Sequence, residues 1–71
     1  MKNLEVAEFL KRIAQLLEIK GDIIFKIRAY EKAALVIESL DKDIVDVWRS
    51  GKLDDLPGVG VALTEKISEF L

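Results

Sequence analysis

The stretch Leu56-Pro57-Gly58-Val59-Gly60-Val61-Ala62-Leu63-Thr64-Glu65-Lys66-Ile67 changes character halfway along. Pro57 has no backbone N–H and biases Leu56 away from the helical region, while Gly58 and Gly60 are free to take positive φ, so the first five residues make a tight turn. From Val61 onward, Val61, Leu63, Ile67, Phe70 and Leu71 form an apolar stripe at helical spacing, which predicts a final helix. Helices joined by short turns are therefore the pattern to look for in the rest of the chain.

Working back from the turn, residues 52–55 predict one short helical turn, and Ile44 to Ser50 a third helix stopped by Gly51 and anchored by Trp48. Asp41 and Asp43 are its candidate caps. Asp22 is placed to cap a second helix whose stripe runs through Phe25, Ala29, Ala33, Ile37 and Leu40, past Tyr30 and Ala34. Its small alanines admit a close neighbour, which predicts a central place in the packing. Asn3 is placed to cap a first helix carrying Val6, Phe9, Leu10, Ile13, Ala14 and Leu17, ending at Lys20-Gly21. No run alternates with period two. The expectation is all-α, a small bundle of four to five short helices.

Composition narrows the chemistry. Seventy-one residues suffice for one domain, and 51% hydrophobic with 34% charged residues, one Pro and four Gly is a globular balance. The absence of Cys and His excludes a disulfide framework, a Cys/His zinc site, a thiol nucleophile and any Ser-His or Cys-His pair. No apolar run approaches the roughly 18 residues of a membrane span, and Met1-Lys2-Asn3-Leu4-Glu5 does not read as a signal peptide, so a cytoplasmic domain without membrane contact is expected. Asp41, Asp43 and Asp46 lack the spacing of a calcium loop and read as caps. Trp48, Phe9, Phe25 and Phe70 fall on apolar stripes and read as core, not as base-stacking platforms.

The turn at residues 56–60 has two readings. It is a ligand-free link between helices, or it presents the unpaired N–H groups at the start of the last helix to a phosphate oxygen.

The string Leu56-Pro57-Gly58-Val59-Gly60, followed by Ala62-Leu63-Thr64-Glu65-Lys66-Ile67, resembles the helix-hairpin-helix motif of DNA-binding proteins, whose hairpin backbone contacts a DNA phosphate. Upstream, Phe25-Lys26-Ile27-Arg28-Ala29-Tyr30-Glu31-Lys32-Ala33-Ala34 resembles the second helix of the 8-kDa N-terminal domain of family X DNA polymerases, the polymerase-beta-like group. Asn3-Leu4-Glu5-Val6-Ala7 and Leu17-Glu18-Ile19-Lys20-Gly21 look like bacterial and archaeal members, so the resemblance covers essentially the whole chain.

This resemblance implies that residues 1–71 form one domain ending in a helix-hairpin-helix motif at 52–71. It would bind gapped or 5′-phosphate-bearing DNA through Pro57, Gly58, Val59 and Gly60, with Lys26 and Tyr30 holding the sugar phosphate. It implies a monovalent cation, Na or K, held by the carbonyls of Asp54, Leu56 and Val59 and bridging to the phosphate. It also implies that Lys66 is the amine that attacks the C1′ aldehyde of a 5′-deoxyribose phosphate, forming a Schiff base that undergoes β-elimination. The polymerase chemistry, with its divalent metals, would lie in a nucleotidyltransferase domain of the same chain, followed in many relatives by a PHP phosphoesterase domain.

Four positions depart from the lyase pattern. Ala62 and Asp54 stand where lysines are usual, Phe25 where a histidine is, and Glu31 where an arginine is. Residues 1–32 carry seven basic and five acidic side chains, whereas residues 33–71 carry four and eight, so the hairpin half is acidic. Nucleic-acid modules usually show the opposite sign. The competing expectation is a non-catalytic protein-interaction module of the sterile-alpha-motif kind, separable from a phosphate binder by the salt dependence of DNA binding.

Overall fold

The computed structural model describes residues 1–71. Four helices follow one another, α1 (Asn3–Lys20), α2 (Ile24–Glu38), α3 (Ile44–Arg49) and α4 (Val61–Phe70), with a single 3-10 turn at Leu53–Asp55 before the last and no strand. The expected all-α bundle is the observed one. No helix is long and apolar enough to cross a membrane.

Local signals set the helix ends. Gly21, at φ +80°, closes α1 with paired bonds, its own N–H donating to the Glu18 carbonyl (3.1 Å) and that of Asp22 to Leu17 (2.9 Å). This is the arrangement a left-handed glycine permits after a helix. Asp43 caps α3 by accepting from the Val45 N–H at 3.0 Å, and Gly51, at φ +73°, follows its end.

Three expectations need correction. Asn3 does not cap α1, which starts after Lys2 without a side-chain cap. Its side chain turns inward instead, donating to the Lys42 carbonyl at 2.6 Å and accepting from the Ile44 N–H at 2.8 Å. Asn3 therefore caps the start of α3 across the fold, and it is the one polar residue buried in the protein. Asp22 likewise stops short of capping α2. Ile23 holds the cap position, and the Asp22 carboxylate accepts from the Ile23 N–H and pairs with Lys26 at 3.7 Å.

The third correction is the phase of α2. Its buried face is Ile27, Tyr30, Ala33, Ala34 and Ile37, while Phe25 is 82% exposed and Ala29 lies outside. A stripe stepping strictly by four advances about 40° further around the helix at each step, so Phe25 and Ile37 cannot face one partner. The observed face alternates steps of three and four.

The core joins Val6, Leu10 and Ala14 of α1 to Ala33, Ala34 and Ile37 of α2, and to Ile44, Leu53, Val59, Leu63 and Ile67 beyond. α1 packs along α2 and also meets α4, so it shares the central role expected of α2 alone. Ile44, fully buried, anchors α3, and Trp48 packs against the core only partly buried. Phe9 and Phe70 meet with ring centroids 4.7 Å apart, holding the end of α4 on α1, whereas Val61 is 76% exposed and leaves the expected stripe. Lys11 of α1 pairs with Glu38 of α2. Its hydrogen bond to Glu38 holds the Lys11 ammonium above its ordinary value, against some desolvation and with smaller help from the charges of Glu38 and Glu8.

Candidate nucleic-acid interface

The hairpin follows directly from its residues. Leu56 is extended (φ −72°, ψ 138°), as a residue before proline prefers. The Val59 N–H donates to the Leu56 carbonyl at 3.1 Å, closing a turn with Pro57 second and Gly58, at φ +77°, third. That is the type II pattern, which needs a positive φ at its third residue. Val59 then buries its side chain in the core cluster that also holds Leu53 and Leu63, fixing the turn to the bundle.

Beyond the turn, the Thr64 N–H donates to the Gly60 carbonyl at 2.9 Å, and the N–H groups of Gly60, Val61, Ala62 and Leu63 have no acceptor in the protein. Most helices cover such groups with a Ser, Thr, Asp or Asn side chain. Gly60 has no side chain to do so. Four donors thus stand at the positive end of a ten-residue helix beside the exposed Val61.

The two hairpin glycines serve different ends. Gly58 is required by its backbone angle. Gly60 sits at φ −95°, which any residue adopts, and a Cβ there would meet nothing within 4 Å. Neither backbone angle nor crowding requires glycine at position 60, where it serves as the N-cap of α4, and what its missing side chain leaves open is space over the free amides.

The carbonyls proposed for a cation are partly available. No backbone N–H reaches the Asp54 carbonyl, since the residue three further on is Pro57, and none reaches that of Val59. Leu56 uses one lone pair on Val59 and keeps the other.

The remaining candidate residues are not gathered into a pocket. Lys26 turns to Asp22, and Lys66, its side chain 45% exposed, faces Glu69 at 4.0 Å on its own helix. Tyr30 buries its ring, while its hydroxyl makes no bond in the protein yet is not sealed from solvent. None of the cavities is lined by any of the three.

The acidic charge is unevenly placed. Asp41, Asp43, Asp46 and Asp55 line one groove beside α3, and Glu31 lines another with Lys11 and Gln15 on the α1 side of α2. One basic residue that sequence reasoning passed over does reach the hairpin. The Lys32 stem lies against Gly58, with Cδ at 3.7 Å and Cγ and Cε at 3.9 Å from where a Cβ would stand. Nothing local to α2 signals that contact.

No curated protein and no solved structure matches the chain. The profile of the helix-hairpin-helix domain matches residues 1–71, its whole length, and the hairpin geometry above fits the match: the chain belongs to the helix-hairpin-helix domain family.

Proposed function

We propose that this domain binds DNA by its sugar-phosphate backbone, without reading bases, and that the hairpin is the contact. Domains of this family commonly bind DNA. The observation that carries the proposal is Gly60: an exposed glycine with ordinary backbone angles and open space above it, in front of four unpaired N–H donors. A phosphate oxygen is the ligand such donors suit. The carbonyls of Asp54, Leu56 and Val59 each keep a lone pair for the monovalent cation that the likeness to family X polymerases implies, and that ion would supply positive charge between the phosphate and the carboxylates of Asp54 and Asp55.

The test is fluorescence anisotropy on a 5′-phosphorylated gapped duplex. Gly60→Val is expected to weaken binding at least about tenfold, or ~1.4 kcal/mol, while the poorer N-cap residue lowers the melting temperature by no more than about 4–8 °C and leaves the domain folded. Equal affinity for the two proteins would sink the proposal. Gly58→Val is a poorer probe, because a valine at φ +77° strains the fold itself.

The finer reading, taken from the likeness to family X polymerases, is a module that holds the 5′-phosphate side of a gap for a polymerase domain during repair, with Pro57, Val59, Lys26 and Tyr30 in supporting contacts. The lyase step assigned to Lys66 has less behind it. A Schiff-base lysine depends on burial or a neighbouring cation to become nucleophilic, and Lys66 has solvent and a carboxylate around it. Borohydride treatment on a gapped duplex carrying a 5′-deoxyribose phosphate is expected to trap no adduct. An adduct lost in Lys66→Ala would establish the lyase instead.

A second reading has one observation in its favour. Ile19, Ile23 and Phe25, exposed by 83%, 66% and 82%, flank the α1–α2 turn and suit a protein partner. Failure to bind the gapped duplex at low salt would favour it.

A further inference from the structure

We infer that Lys32 of α2 is the second half of the phosphate site, a cationic arm laid across the hairpin that makes up for the acidic character of the hairpin's own segment. The inference rests on the DNA reading above.

Three observations lead to it. The first is contact: three methylenes of Lys32 lie at 3.7–3.9 Å from the position of a Gly58 Cβ, so the stem is packed on the turn and the ammonium stands one bond beyond the last of them. The second is charge availability. Lys2, Lys11, Lys26 and Lys66 each have a carboxylate within 4.0 Å, and Lys32 has none. Its ammonium need not break an ion pair to meet an anion. The third is the placement of opposing charge: neighbouring Glu31 lines the groove with Lys11 and Gln15, and a one-residue step turns Lys32 about 100° away from it around the helix.

The amides after Gly60 and the ammonium of Lys32 then offer two kinds of donor to one backbone: fixed, partial positive charge from α4 and a full charge from α2.

The experiment compares the wild type with Lys32→Met, Lys32→Arg and Lys2→Met in salt titrations of binding to the gapped duplex. Methionine keeps an unbranched apolar stem on Gly58 and removes the charge, so the melting temperature should hold. Its affinity is expected to fall about fivefold at low salt, and the slope of log affinity against log salt to drop in magnitude by about 1, the loss of one phosphate contact. Lys32→Arg should retain both, and Lys2→Met, the same change in net charge on a lysine paired with Glu5, should alter neither. An unchanged slope in Lys32→Met, or an equal loss in Lys2→Met, overturns the inference while leaving the hairpin reading intact. A wild type that binds no DNA, or binds it equally after Gly60→Val, removes both.

Discussion

Asn3→Ala is expected to lower the stability of the domain by about 2–4 kcal/mol, because it strands the buried Ile44 N–H, at roughly 1–3 kcal/mol, and removes the part-buried bond to the Lys42 carbonyl, worth about 1 kcal/mol. For a chain of this length that is a fall of ~10–25 °C in melting temperature. It is a large share of the total, since a domain of 71 residues is worth only about 4–10 kcal/mol. The alternative is a local helix cap, whose loss costs about 1 kcal/mol. Asn3→Asp separates the two. Aspartate caps a helix as well as asparagine does, so a cap would survive the change. The carboxylate has no proton to give the Lys42 carbonyl at neutral pH, so the bridge would not. Calorimetry showing Asn3→Asp at wild-type stability would reduce Asn3 to an ordinary cap.

Leu10→Ala carries the other large effect. Leu10 is fully buried on the face of α1 that meets the rest of the core, and truncating such a leucine costs about 2.7–5 kcal/mol through lost burial and the cavity left behind. The expected result is a urea midpoint lowered by at least about a quarter. Leu16 provides the internal control: it lies on the same helix, is 59% exposed, and Leu16→Ala should fall within about 0.5 kcal/mol of the wild type. Similar losses for both leucines would mean that α1 presents a different face to the core.

The candidate site combines these levels. Leu53, Val59 and Leu63 seat the hairpin in the same core that Leu10 fills, so its free amides are held by the bundle and not by the turn alone. A preorganised contact of this kind loses little freedom when it binds, which offsets part of the repulsion from an acidic chain.

The sequence by itself determined the all-α class with four to five short helices, the helix ends at Gly21 and Gly51, a choice of Asp41 or Asp43 as the cap of α3, and a tight turn at residues 56–60 ahead of the last helix. Each depends on backbone angles or on hydrogen bonds reaching at most four or five residues, so the information is local. Tertiary structure decided the rest. It turned Phe25 outward, because the phase of α2 follows whichever face α1 covers, and a four-residue stripe does not follow the helix. It also drew Asn3 away from its own helix to the start of α3, where a buried N–H and a carbonyl had no nearer partner. Lys32 reached the hairpin and Lys66 faced Glu69 for the same reason: a side chain's charge environment is set by what the fold brings beside it, and for Lys32 that neighbour is a turn on another element, distant in the chain.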